Sequence, residues 1–120
     1  MKLLVLGCGT STGVPRVGND WGQCDPAEPK NSRTRVSIMV ESDAGARLLV
    51  DTSTDLRCQL LANQIDRIDA VFWTHEHADH CHGIDDLRVL RYGRGGPIPG
   101  FAHSEIARIL RGRFGYAFAG

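Results

Sequence analysis

One short segment near the middle of the chain, residues 71–83 (VFWTHEHADHCHG), holds four of the five histidines. Within it, the spacing His75-x-His77-x-Asp79-His80 comes directly after an apolar run. Residues two apart lie on the same side of an extended segment, so His75 and His77 can share one metal ion. A tight turn can bring Asp79 and His80 back toward them, where they are available to a second ion. Imidazole and carboxylate ligands suit Zn, and they also accept Mn or Fe. The competing interpretation is a polar surface loop that is rich in histidine.

Three other polar residues of this segment are not expected to bind metal. Glu76 lies between two ligands and should point away from them. His82 falls in the first turn of the following helix, which favours a surface position or a supporting role. Cys81 is expected to pack in the interior, because free cysteine is most often a small buried residue. A position of Cys81 near the metal is the alternative.

The elements that must position this segment follow from the apolar pattern of the sequence. A long Gly- and Pro-rich loop, residues 7–32, follows the first strand. A glycine, Gly93, is predicted to end the second helix. Strands are predicted at residues 2–6, 35–41, 47–51 and 68–74, and helices at residues 54–64, 84–92 and 104–111.

Composition limits the classes of protein that the chain can represent. It has 120 residues, of which 42% are hydrophobic, and this suits one α/β domain. Its formal net charge is zero, so no global field draws it to nucleic acid or to a membrane. The longest apolar run is far too short to span a bilayer, and the N-terminus lacks the features of a signal peptide. We therefore expect a cytoplasmic protein without disulfides, in which Cys58 is buried within a helix.

Two segments of the chain match motifs of a known family. The stretch THEHADHCHG resembles the T-H-x-H-x-D-H motif of the metallo-β-lactamase superfamily. The opening LLVLGCGTSTGVPR resembles the G-[SC]-G-T-S-x-G-V-P start of its phosphodiesterase branch. That branch includes the phosphonate-pathway cyclic phosphodiesterase and, more distantly, tRNase Z. The stretches GIDDLR and RFGYAF strengthen this resemblance, which covers almost the whole chain.

The resemblance implies an αββα sandwich, of α+β type, and a hydrolytic site with two divalent metal ions. It assigns His75 and His77 to the first ion, and Asp79 and His80 to the second. Asp79 is also the implied catalytic residue, because in the family it orients a hydroxide held by the ions. Asp51, at the end of a predicted strand, corresponds to a family aspartate that supports the metal loop. A carboxylate there could equally cap the turn that follows it.

The resemblance also implies that part of the site lies outside this chain. Family members carry three more ligands downstream, whereas only His103 follows His82 here. We therefore expect residues 1–120 to be the N-terminal half of a single metallo-β-lactamase domain, with one of its two sheets. The inner face of that sheet should then lack cover, which favours association, including a homodimer. The residues expected to be uncovered are Leu3, Val5, Val36, Ile38, Leu49 and Val71.

The predicted function is that of a metal-dependent hydrolase, with zinc as the favoured metal, acting on a small-molecule phosphodiester. Nucleic acid is a less favoured substrate, and no membrane partner is expected. The same metal site serves acyl transfer, so hydrolysis of a thioester or lactam is an alternative. A non-catalytic metal-binding domain, or an inactive fragment, is another, because ligands are missing.

Overall fold

The computed structural model describes residues 1–118 as an α+β unit, with one five-stranded mixed sheet and helices packed on one of its faces. The strands lie in the sheet in the order in which they occur in the chain. The first three are antiparallel neighbours, and the last two run parallel to the third. Of the helices in the described part of the chain, none has the length and apolarity needed to cross a membrane. The strands are β1 (Lys2–Gly7), β2 (Ser37–Glu41), β3 (Arg47–Val50), β4 (Ala70–Trp73) and β5 (Gly100–Ala102).

The helices are α1 (Leu56–Ala62), α2 (Ala78–Cys81), α3 (Leu87–Arg94), α4 (Ser104–Arg113) and α5 (Gly115–Phe118). Three of the helices, α1, α3 and α4, agree with the predicted ones in place but not in their ends, whereas the short helices α2 and α5 were not predicted. The second predicted helix begins with a 3-10 turn, runs through Gly93 to Arg94 and is capped by Gly95. Gly95 has a φ of 79°, a left-handed conformation that glycine adopts at low cost, so Gly95 and not Gly93 ends the helix.

The core lies between the helices and one face of the sheet. Leu49 of β3 and Val71 of β4 are directly paired across the parallel ladder and are 0% and 1% exposed. They pack with Leu56 of α1 and Leu110 of α4. The expectation that Leu49 and Val71 are uncovered was therefore wrong. Both strands are apolar on both faces, and such strands carry no alternation that reveals which residues face the helices.

The opposite face of the sheet is apolar and open. Leu3 and Val5 of β1 are 61% and 54% exposed, as predicted, and Phe72 and Phe101 are 40% and 56% exposed. Their cross-strand partners are also apolar, so the face is continuous from β1 to β5. We call this the open sheet face; it comprises Leu3, Val5, Ile38, Val40, Leu48, Val50, Phe72 and Phe101.

Two further differences from the predictions concern short or amphipathic elements. β5 lies where no strand was predicted, and it pairs in parallel with β4. Cys58, predicted to be buried, is exposed, because the core-facing side of α1 consists of Leu56, Gln59 and Leu60. A three-residue strand is too short to show a period, and Cys58 lies on the exposed side of α1 although free cysteine is most often buried.

Candidate metal centre

The candidate site begins where two parallel strands end side by side. β3 ends at Val50 and β4 at Trp73. Asp51 follows β3, and its N–H still donates to the carbonyl of Phe72, at 2.8 Å. Its φ is 65°, a conformation that aspartate tolerates better than most residues. The chain therefore turns sharply at Asp51, and its carboxylate reaches the first residue after β4.

The carboxylate of Asp51 connects both halves of the histidine segment. It is buried, and it accepts hydrogen bonds from the N–H and the hydroxyl of Thr74, each at 2.7 Å. The same carboxylate lies 2.7 Å from Nδ1 of His80. An ionised carboxylate can only accept, so Nδ1 of His80 donates to Asp51, and Nε2 on the other side of the ring is the nitrogen that could bind a metal ion. Such a bond fixes the orientation of a histidine that binds metal through its other nitrogen.

The four predicted ligands lie together in one cluster. His75 follows β4, His77 precedes α2, and Asp79 and His80 lie on α2 itself. The ring centroid of His75 is 4.6 Å from that of His77 and 3.8 Å from that of His80. The two pairs are therefore not separate groups: the ring of His80 lies closer to His75 than the ring of His77 does.

The donor set suits a divalent metal, although the side chains are paired with one another. Nε2 of His80 lies 3.2 Å from Oδ2 of Asp79. Two ligand atoms on one tetrahedral zinc ion, at bond lengths of ~2.0–2.2 Å, would be ~3.3–3.6 Å apart. Within residues 1–118, however, no group of three or more His, Cys, Asp or Glu side chains is arranged to hold a metal ion. The cluster therefore contains ligand types that suit zinc. One pair of ligand atoms, Nε2 of His80 and Oδ2 of Asp79, is spaced nearly as two ligands of one zinc ion would be.

The loop after Asp51 fastens α2 to the sheet. The N–H of Thr52 donates to the carbonyl of His80 at 3.0 Å, and the Thr52 hydroxyl donates to the carbonyl of Cys81 at 3.2 Å. The indole N–H of Trp73 donates to the same hydroxyl at 2.9 Å. Gly83 allows this close contact, because a Cβ there would lie 2.0 Å from the carbonyl oxygen of Ser53.

The backbone carbonyl of Glu76, within the histidine segment, accepts hydrogen bonds from two side chains. The Cys81 thiol donates to it at 3.3 Å, and the guanidinium of Arg113 also donates to it. Burial raises the pKa of the Cys81 thiol, more than the nearby Arg113 lowers it, so the thiol keeps its proton at neutral pH. The packing role predicted for Cys81 agrees with its full burial. Nothing in the sequence pattern around Arg113 indicates this contact.

Three other polar residues, His82, His103 and Tyr116, contact residues outside the cluster. The exposed ring of His82 contacts Phe114 edge-on, with centroids 5.8 Å apart. His103 accepts a hydrogen bond from the N–H of Glu105 at the start of α4, at 3.3 Å. The hydroxyl of Tyr116 donates to Asp85 at 2.7 Å. The GIDDLR and RFGYAF stretches therefore contact each other next to the histidine segment.

Comparison with known proteins gives four informative relatives. A solved diphosphatase from the PhnP family is 44% identical, with a TM-score of 0.87 over 97% of this chain and 46% of its own. Zn-bound PqqB from Methylobacterium extorquens is 27% identical, with a TM-score of 0.74 over 100% of this chain and 43% of its own. An octanoyltransferase from Porphyromonas gingivalis is 42% identical over 98% of this chain and 24% of its own. A ribonuclease Z from Anoxybacillus flavithermus is 31% identical over 86% of this chain and 29% of its own.

The chain spans less than half the length of each of these four relatives. The family model described as a β-lactamase superfamily domain matches residues 46–120, more than half of the chain. That match covers β3, β4, β5 and the whole histidine segment. The chain belongs to the β-lactamase superfamily and carries part of the metallo-β-lactamase fold.

Proposed function

We propose that residues 1–120 form the N-terminal part of a single metallo-β-lactamase domain that hydrolyses phosphodiesters with two divalent metal ions, zinc being favoured. The observation that carries the proposal is the Asp51–His80–Asp79 arrangement at the ends of β3 and β4. His80 is held by one ring nitrogen and presents the other toward Asp79, 3.2 Å away. His75 and His77 complete a set of borderline and hard ligands that suits zinc.

The four candidate ligands and Asp51 each have a specific role in this proposal. His75, His77, Asp79 and His80 would hold the ions, and Asp51 would keep His80 in the tautomer with a free Nε2. Asp79 would also accept a hydrogen bond from the attacking water and so orient it for attack on phosphorus. When bound, divalent ions lower the pKa of water and neutralise charge on phosphoryl oxygens. In this chain the backbone around Thr74 and Glu76 is fixed by hydrogen bonds, which limits movement of the ligands.

Two relatives support a phosphate-ester substrate. The PhnP-family protein is a diphosphatase, and the Anoxybacillus protein is named ribonuclease Z. A small-molecule phosphodiester is favoured over nucleic acid, because the chain has a net charge of zero and so no overall attraction to a polyanion. The Zn-bound state of PqqB supports zinc as the metal.

The test combines metal content with a panel of chromogenic substrates. The complete domain, with the sequence that follows residue 120, is purified and loaded with Zn²⁺ or Mn²⁺, its metal content is measured, and hydrolysis of bis(p-nitrophenyl) phosphate is followed. We expect metal-dependent hydrolysis that Asp79→Asn reduces by at least ~100-fold, as the loss of a ligand that also orients the nucleophile should. Metal binding without hydrolysis of any ester would instead support a non-catalytic metal-binding domain. Near-normal turnover by Asp79→Asn would remove Asp79 from the site.

Acyl transfer is a second candidate, favoured by one comparison. The Porphyromonas relative is named octanoyltransferase, and the transfer of an octanoyl group is chemistry at an acyl carbon. The chain matches 24% of that protein, so its named activity need not reside in the matched part. Including an octanoyl thioester in the panel separates the two candidates: faster turnover of the thioester than of the phosphodiester favours acyl chemistry.

A further inference from the structure

Arg113 connects the last residue of α4 to the middle of the histidine segment. Its guanidinium donates to the backbone carbonyl of Glu76, the residue between His75 and His77. The two residues are 37 positions apart in the sequence. We propose that Arg113 is a positioning residue, which fixes the peptide between the two imidazoles and thereby their spacing for a shared metal ion. This inference rests on the function proposed above.

The helix that carries Arg113 is itself anchored. Leu110, one turn earlier, is 1% exposed and belongs to the core, and Ile106 packs against the same core. The end of α4 is therefore held in place relative to the sheet that carries β4. A hydrogen bond from this end to the carbonyl of Glu76 transmits that fixed position to the loop.

Arg113 and Cys81 both donate to the carbonyl of Glu76, but the two hydrogen bonds differ in strength. The thiol of Cys81 is a weak donor, 3.3 Å from the carbonyl of Glu76, whereas the guanidinium is charged and has several N–H groups. Loss of Arg113 would leave the Glu76 peptide held by the weak donor alone. Because Arg113 is exposed, its hydrogen bond contributes little to overall stability. The predicted consequence is a loosened ligand pair in an otherwise intact fold.

The first test is free of metal and of activity. Backbone ¹⁵N relaxation is measured on the complete domain, including the sequence that follows residue 120, as the wild type, Arg113→Met, Arg113→Lys and the control Arg111→Met. Arg111 is also an exposed arginine in the last turn of α4. We expect lower order parameters at residues 75–77 in Arg113→Met, recovery in Arg113→Lys, and unchanged thermal unfolding in all four chains. Unchanged order at residues 75–77 in Arg113→Met overturns the inference.

The second test is titration with Co²⁺, followed by its visible absorption. Arg113→Met should bind Co²⁺ about 10–100-fold more weakly than the wild type, as supporting residues of metal sites do, while Arg111→Met binds normally. Looser order with unchanged Co²⁺ affinity would refute the positioning role. Absence of Co²⁺ binding by the wild type would count against the proposed function, and the relaxation data alone would then decide the role of Arg113.

Discussion

The carboxylate of Asp51 should contribute strongly to stability and, separately, to metal binding. It is 4% exposed and accepts from the N–H and hydroxyl of Thr74 and from Nδ1 of His80, all at 2.7 Å. Asp51→Ala removes the acceptor of all three donors. The Thr74 hydroxyl has an alternative partner in Nδ1 of His75, 2.9 Å away, so two donors are left unpaired. The expected loss of stability therefore comes from two unpaired donors, the N–H of Thr74 and Nδ1 of His80.

The cost can be worked out donor by donor. Each buried donor left unpaired costs ~1–3 kcal/mol, and because the cluster is partly exposed the lower half applies, ~2–4 kcal/mol for two. Alanine at a φ of 65° adds ~1–2 kcal/mol, because it lacks the short polar side chain whose local hydrogen bonds make the left-handed region tolerable for aspartate. The free energy of unfolding should therefore fall by ~3–6 kcal/mol, a large part of the ~5–15 kcal/mol typical of a domain. Asp51→Asn, which keeps one acceptor and tolerates this φ, should lose ~1–2 kcal/mol.

Equilibrium unfolding in urea, followed by circular dichroism, measures these differences. Asp66→Asn is the matched control, because that side chain is 97% exposed; its effect should lie within ~0.5 kcal/mol. In Asp51→Asn the amide can donate to Nδ1 of His80 and move the proton to Nε2, so zinc affinity should fall about 10–100-fold. An Asp51→Ala chain within ~1 kcal/mol of the wild type would refute the reasoning, since even one unpaired buried donor costs about that much.

Three further predictions concern other parts of the molecule. Gly83→Ala should lower the free energy of unfolding by at least ~1–3 kcal/mol in urea, because its Cβ would lie 2.0 Å from a carbonyl oxygen, whereas Gly112→Ala meets nothing within 4 Å and should be neutral or stabilising. Val5→Lys should reduce self-association in sedimentation velocity by placing a charge on the open sheet face; Val89→Lys on α3, 65% exposed, should not, and equal association of both would contradict an interface at that face. The pKa of Asp69 lies below its ordinary value of 3.8, chiefly because the N–H of Arg47 donates to it, so its contribution to stability is present above pH 3.8 and is lost as pH falls through the lower folded value. The thermal stability of Asp69→Asn should accordingly be below wild type at pH 7 and approach it in acid, and a constant difference at all pH values would show another cause.

The proximity of the four candidate ligands was predictable, because they are close together in the sequence. His75, His77, Asp79 and His80 lie within six consecutive residues, so an apolar strand followed by a turn is enough to bring them together. The contact between Arg113 and Glu76 was not predictable in this way. It joins a side chain to a backbone carbonyl, and any residue type supplies a carbonyl, so the sequence around Glu76 carries no trace of its partner.

Four of the five strands of the sheet were predictable, but the direction in which their faces point was not. The segment RLLVD contains apolar residues at consecutive positions, and Leu48 and Leu49 are equivalent in its pattern. Leu49 proved to face the helices, because the register with Val71 and the packing of α1 select that face. Such a choice depends on neighbouring strands and helices, which a local period does not describe.

The order of the strands has a consequence for folding during synthesis. Each strand after β1 pairs with the strand that precedes it in the chain. Its partner has therefore already been synthesised when it leaves the ribosome. The longest segment between two neighbouring strands separates β1 from β2, and it is a loop of about thirty residues. From β2 onward the sheet can grow one strand at a time from its N-terminal edge, and the histidine segment is reached only after β3 and Asp51 are available. The ligands would thus be placed on a sheet edge that is already formed, which is the order that N-terminal-first folding favours.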